Sequence, residues 1–128
     1  MRKELDEQLC AKFPNLFKDR NASMQATCMC WGFDHQDGWY QIIHDLSEKL
    51  EALILKLPEE ERTHCCAAQV KEKWGTLRFY MTASTDEMDV LIREAEAQSR
   101  TTCEVCGKPG KLYPCGWYYV ACEEHVRE

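Results

Sequence analysis

Cys103, Cys106, Cys122 and His125 spell C-x2-C-x15-C-x2-H, and this spacing limits the fold more than any other feature of the chain. Two ligand pairs separated by a short span can close a tetrahedral shell on Zn²⁺, with Zn–S near ~2.3 Å and Zn–N near ~2.0–2.1 Å. Cys103-Glu104-Val105-Cys106-Gly107 has the form of a knuckle. Its thiolates converge on one ion, turn N–H groups point at sulfur, and Gly107 is free to take φ > 0. Cys122-Glu123-Glu124-His125 has the i, i+3 spacing of ligands on the first turn of a helix. Tyr118-Tyr119-Val120 between the pairs is β-prone. Knuckle, hairpin and ligand-bearing turn predict a treble-clef or zinc-ribbon-like module over residues 101–128. Four protein ligands leave no open position, so one structural Zn²⁺ is expected. Cys115, in Pro114-Cys115-Gly116, is the alternative ligand in place of Cys122 or His125.

The remainder reads as a helix and hairpin core over residues 1–100, with the zinc module integrated into the same domain across residues 1–128. Leu5, Leu9 and Phe13 fall on one face of a short helix that Pro14 ends, after which Leu16 and Phe17 can dock on the core. Residues 18–37 carry no decisive period. From Trp39 to Leu57, apolar residues recur at helical spacing, with Glu48, Lys49 and Glu51 on the other face. Residues 59–62 read as a solvated connection. Cys66, Ala68, Val70 and Trp74 alternate in one strand, and Leu77, Phe79 and Met81 in the next, with Gly75 as the turn. Ser84-Thr85-Asp86-Glu87 offers capping residues for a helix running to about Arg100, with Met88, Leu91, Ile92 and Ala95 as its stripe. The fold class is α+β, helices packed on a β-hairpin.

Nine cysteines, an odd number with no secretion signal in the sequence, fit metal ligation and buried thiols in a reducing compartment better than a disulfide framework. The expected location is the cytoplasm, with no membrane partner. Cys28, Cys30, His35, His64, Cys65 and Cys66 are the residues from which a second metal site would have to be built. C-x-C is a weak signal, and Cys65 and Cys66 would point to opposite faces of a strand, so the cysteines are expected as core thiols. His35, His44 and His64 are expected at the surface or with their hydrogen bonds satisfied.

Catalytic signatures are missing: no H-E-x-x-H, phosphate-binding Gly-rich loop or G-x-S-x-G occurs, and Cys103-x-x-Cys106 lacks the proline and glutamate partners of a deaminase site. A non-enzyme is expected. The formal charge of −6 becomes −7 when three thiolates bind Zn²⁺, which disfavours broad phosphate neutralisation. Two basic and aromatic clusters keep nucleic acid as the alternative partner. One holds Lys71, Lys73, Trp74, Arg78 and Tyr80; the other holds Lys108, Lys111, Tyr113, Trp117 and Tyr118.

Gly38-Trp39-Tyr40, the run Val70-Lys-Glu-Lys-Trp-Gly-Thr-Leu-Arg-Phe-Tyr80, Cys103-Glu-Val-Cys-Gly107 and Gly116-Trp117…Cys122-x-x-His125 occur in this order. Together they resemble small zinc-containing proteins of tailed bacteriophages and prophages, over roughly residues 27–126. The resemblance implies a viral accessory protein acting in the host cytoplasm by binding a host protein. Inhibition of a bacterial defence system, in the manner of an anti-CRISPR, is its sharpest form. The alternative is a nucleic-acid-binding zinc-finger module in phage regulation or packaging. Lys73, Trp74, Arg78 and Tyr80 are the candidate partner-binding residues. Cys28, Cys30 and Cys115 lie outside the shared pattern.

Overall fold

The computed structural model describes residues 1–114 and 116–127, so the alternative ligand Cys115 lies outside the described residues. Helix α1 (Lys3–Lys12) buries Leu9. Phe13, Leu16 and Phe17 then turn back into the core, where Phe17 meets Phe33 and Phe79 edge-on at 5.1 and 6.3 Å. Arg20 locks this turn-rich stretch. Its Nη2 lies 2.8 Å from Asp6 Oδ2 on α1, and its Nη1 donates to the Cys30 carbonyl at 3.0 Å. Such forked charge-assisted contacts fix geometry as well as charge.

A 3₁₀ turn (Cys28–Trp31), capped by the Thr27 side chain, leads into the two-residue strand β1 (Phe33–Asp34). A strand this short carries no alternation, which explains why residues 18–37 resist reading by period. After a second 3₁₀ turn (Asp37–Trp39), helix α2 (Tyr40–Lys56) buries Ile43, Leu46, Leu50 and Ile54, with Trp39 fully enclosed at its start. Glu51 departs from expectation. Instead of facing water it is buried at 8% exposure, and its carboxylate accepts from the Asn15 and Leu16 N–H groups at 3.3 and 2.8 Å. It also accepts from the Asn15 side-chain amide at 2.7 Å. Backbone donors stranded after α1 need this acceptor, and paired burial offsets the cost of hiding the charge. The connection at 59–62 is a single helical turn, α3 (Glu59–Arg62), with exposed glutamates.

Strands β2 (Ala67–Lys73) and β3 (Thr76–Met81) form the antiparallel hairpin, and β1 adds to β2 in parallel, pairing Phe33 with Val70. The register shifts between Ala67 and Gln69. That irregularity leaves Ala67 and Val70 buried while Ala68 is half-buried. Trp74 is not an inward strand residue. It occupies the two-residue turn with φ 55, followed by Gly75 at φ 83, and is 62% exposed. Two consecutive positive φ values are those of a type I′ turn, whose twist matches the flanking strands.

Helix α4 (Asp86–Ser99) is capped by Thr85, whose side chain accepts from the Met88 N–H at 3.3 Å. Met88, Ile92 and Ala95 are buried, and α4 packs on α2 and on β3. The last elements are the antiparallel pair β4 (Lys111–Tyr113) and β5 (Tyr119–Ala121) and a 3₁₀ turn (Glu123–His125). The architecture is mixed α+β. Among the described residues, no helix is long and apolar enough to cross a membrane.

Candidate metal centre and adjoining cavity

Cys103 and Cys106 sit on the turn that follows α4, and Cys122 and His125 bracket the short turn after β5. The knuckle is closed by backbone bonds. The Cys103 N–H donates to the Lys108 carbonyl at 2.8 Å, and the Gly107 N–H to the Cys103 carbonyl at 2.9 Å, with Gly107 at φ 83. The Glu104 N–H reaches the Val120 carbonyl at 3.2 Å, which registers the knuckle against β5. As a result the four ligand atoms lie within 4.8 Å of one another. Cys106 Sγ is 3.6 Å from Cys122 Sγ, and His125 Nδ1 is 3.2 Å from Cys122 Sγ and 3.6 Å from Cys103 Sγ. This cluster could hold a metal ion.

The electrostatics favour a cation there. Burial alone would raise the Cys103 thiol, but backbone hydrogen bonds from Cys122, Cys106 and Val105 outweigh it, lowering the thiol to about 6. A thiolate held by backbone N–H groups is a ready ligand. The Lys108 backbone draws the Cys106 thiol down, yet the neighbouring Cys122 and Cys103 thiols leave it raised on balance. Several sulfurs this close resist joint ionisation until a cation arrives.

The knuckle is fastened to the rest of the chain along the segment before α2. The Gly38 N–H donates to the Glu104 carbonyl at 2.7 Å, the Gln36 N–H to Glu104 Oε2 at 3.0 Å, and the Trp39 indole to the Thr102 carbonyl at 3.0 Å.

Among the described residues, the four ligands are the one set of three or more Cys, His, Asp or Glu that converges in this way. Cys28, Cys30, His35, His64, Cys65 and Cys66 are not brought together. Cys65 and Cys66 are buried as expected, but Cys28 is exposed on its 3₁₀ turn and does not belong to the core. The Cys10 thiol is pushed up to about 12, first by burial and then by Asp6. Burial likewise raises Cys65 and Cys66. His35 also differs from expectation. It is buried, with Nδ1 2.7 Å from the Gln36 carbonyl and Nε2 without a partner among the described residues.

Beside the centre, the tips of the two hairpins frame a cavity of about 480 Å³. A Cβ on Gly75 would lie 2.9 Å from the Tyr118 and Tyr119 main chain, so the turn after Trp74 can approach the second hairpin only as glycine. Trp74 meets Tyr118 edge-on at 6.1 Å. Trp74, Trp117, Tyr118 and Tyr119 line the cavity together with Glu72, Lys73, Glu104 and Arg127. Burial raises the Glu104 carboxyl above its usual range, opposed by the Gln36 N–H; Glu72 adds to the rise and Arg127 works against it. Lys73 and Trp74 thus stand at the cavity, whereas Arg78 and Tyr80 lie further along β3, outside its lining. Glu104, Tyr119 and Arg127 were not legible as cavity residues, although the run Trp117-Tyr118-Tyr119 signalled an aromatic surface. No family model matches the chain, and neither a curated protein nor a solved structure does.

Proposed function

We propose that Cys103, Cys106, Cys122 and His125 hold one structural zinc, and that the chain acts by binding a protein through the aromatic face this metal steadies. A tetrahedral shell with Zn–S near ~2.3 Å puts sulfurs ~3.8 Å apart and sulfur and nitrogen ~3.5 Å apart. The separations of 3.2–3.6 Å lie within a few tenths of an ångström of that. Three soft thiolates and an imidazole suit Zn²⁺ better than the oxygen-seeking Mg²⁺ or Ca²⁺. The zinc would supply cross-linking and charge balance, with all four ligand positions filled by protein. Knuckle, β4–β5 pair and ligand-bearing turn follow the order of a treble clef or zinc ribbon. The brevity of the last turn favours the ribbon form.

The observation that carries the binding role is the exposure of Trp74 and Trp117, at 62% and 84%, beside Tyr118 at 40%. Exposed tryptophans clustered at one cavity are the anchors that protein interfaces use. Trp74 also occupies a positive-φ turn position that Asn, Asp or Gly would fill with less strain, so the turn itself gives no reason for a tryptophan there. The resemblance supplies the setting: a phage or prophage accessory protein that engages a host protein, with inhibition of a defence system as its sharpest form. Lys73 beside Trp74 favours a nucleic-acid module as the second reading, and the Glu72 and Glu104 carboxylates in the same cavity oppose it.

The test is capture from bacterial lysate by the wild-type chain and by a Trp74→Ala/Trp117→Ala double variant, with and without nuclease. A stoichiometric protein that survives nuclease and is lost on the double variant supports the proposal. Capture that disappears on digestion transfers the face to nucleic acid.

A further inference from the structure

Arg127 already places a cation in the cavity between the hairpin tips. Its guanidinium carbon stands 4.2 Å from the centroid of the Tyr119 ring, well inside the range of a cation–π contact. Tyr119 fixes the main chain as well, its hydroxyl accepting from the Arg127 N–H at 2.9 Å and reaching the Arg127 carbonyl at 3.3 Å. We propose that this cavity is a receptor for an arginine side chain presented by a basic segment of the partner protein, with Arg127 as its internal occupant until the partner displaces it. The inference rests on the protein-binding role above and specifies the chemistry of that partner.

Three features of the cavity support this. First, it holds more recognition surface than Arg127 uses: among the described residues, Arg127 makes its cation–π contact with Tyr119, while Trp74 and Tyr118 meet edge-on and Trp117 is 84% exposed, so a guanidinium that replaces Arg127 finds aromatic surface that Arg127 leaves unused. Second, two carboxylates face it. Glu104 is only 7% exposed and accepts from the Gln36 N–H at 3.0 Å, while Glu72 accepts from the Gly75 N–H at 2.7 Å. A carboxylate has about four acceptor sites, so each keeps capacity for a guanidinium fork. These backbone bonds also hold both carboxylates in place before any ligand arrives. Third, the charge balance calls for a replacement. Once Arg127 leaves, two carboxylates face the single ammonium of Lys73, and the cavity is one positive charge short.

Size and steering agree. A volume of about 480 Å³ lies within the usual range for ligand sites of roughly 300–1,000 Å³ and admits a long side chain with part of its backbone. The net charge of −6 draws a basic partner and repels a phosphate chain. Guanidinium fits better than ammonium because it is planar, stacks on rings and donates in a fork.

The experiment is a titration of the zinc-loaded full chain with acetyl-arginine amide, following the indole N–H resonances of Trp74 and Trp117 by NMR. Acetyl-norleucine amide and a ten-nucleotide single strand serve as comparison probes. Saturable shifts are expected with the arginine amide and not with the norleucine amide. Arg127→Ala removes the internal competitor and is expected to tighten binding at least about threefold. Glu104→Gln, which keeps the shape and removes the charge, should weaken it about tenfold. Trp117→Ala, at a position 84% exposed, weakens binding without a folding cost and keeps the test sound if Glu104→Gln does not fold. Equal response to the norleucine amide, or no gain in Arg127→Ala, overturns the proposal. Shifts with the oligonucleotide alone overturn it in favour of nucleic acid. If the arginine amide fails while a captured protein is still lost on Trp74→Ala/Trp117→Ala, the arginine assignment falls and the protein-binding role stands.

Discussion

Gly38→Ala is the substitution that most sharply tests how the metal centre is joined to the helical core. A Cβ at Gly38 would lie 2.1 Å from the Cys103 carbonyl oxygen and 2.5 Å from the Glu104 carbonyl carbon and oxygen. Ordinary contact needs about 3.4 Å, so the two segments must separate by more than 1 Å. The obstructing atoms are main chain, and no side chain can swing aside. Separation breaks the Gly38–Glu104 backbone bond of 2.7 Å and strains the Gln36–Glu104 and Trp39–Thr102 bonds, both 3.0 Å. Losing a hydrogen bond costs about 1 kcal/mol net, and a buried group left unpaired costs about 1–3 kcal/mol. The reduced freedom of the unfolded chain returns about 0.4–1 kcal/mol. The expected net loss is about 1–3.5 kcal/mol, a sizeable share of the ~5–15 kcal/mol typical of a folded chain. Urea unfolding followed by tryptophan fluorescence, in the presence of zinc and of a chelator, measures it. With the metal removed the knuckle is free to relax, so the penalty should shrink to below about 1 kcal/mol. A loss below about 1 kcal/mol in the zinc-loaded protein would refute the claim that Gly38 is required by this close approach.

Three further outcomes follow from the same geometry. His35 has a folded-state pKa of about 4, lowered first by burial and also by the Met1 amine, with the Gln36 carbonyl, Asp34 and Asp37 opposing. The unfolded chain, with an ordinary value near ~6.5, binds a proton that the folded chain refuses. Stability is therefore whole above about pH 6.5 and falls by about 3 kcal/mol as the pH drops towards 4. His35→Phe removes that slope, and parallel losses in the two proteins between pH 7 and 4.5 would exclude His35 as its source. Trp74→Asn relieves a left-handed position costing roughly 1–2 kcal/mol and forfeits an edge contact with Tyr118 of about 0.5–1.5 kcal/mol. Its thermal stability is expected unchanged or higher while partner capture is lost; a fall of more than about 1 kcal/mol would identify Trp74 as a core residue. Cys103→Ser is expected to lose the metal and to expose residues 101–127 to hydrogen exchange while α2 and the β2–β3 hairpin stay protected, and uniform protection throughout would contradict that division.

What the sequence made legible depended on how local the determinants are. The stripe from Trp39 to Leu57 reads as α2 because helical period is carried by the residues themselves, and Thr85 reads as a cap because its partner lies three residues on. Cys103, Cys106, Cys122 and His125 were singled out the same way, by paired spacing within each half, and the structure brings these four side chains together. Trp74 was misplaced because alternation alone cannot distinguish the last residue of a strand from the first of a two-residue turn. Glu51 looked solvent-facing because its partners, the backbone donors at Asn15 and Leu16, lie more than thirty positions away. The cavity needed the second hairpin tip to meet the first at Gly75, a contact no local pattern records.

The central claim is that a single zinc, held by Cys103, Cys106, Cys122 and His125, staples the second hairpin beside the first. Native mass spectrometry of the full chain and of Cys122→Ser, each purified in zinc-containing buffer, tests it most directly. One zinc per wild-type chain and none in Cys122→Ser is the expected result. A metal-free wild-type chain, or full zinc occupancy in the variant, would contradict it.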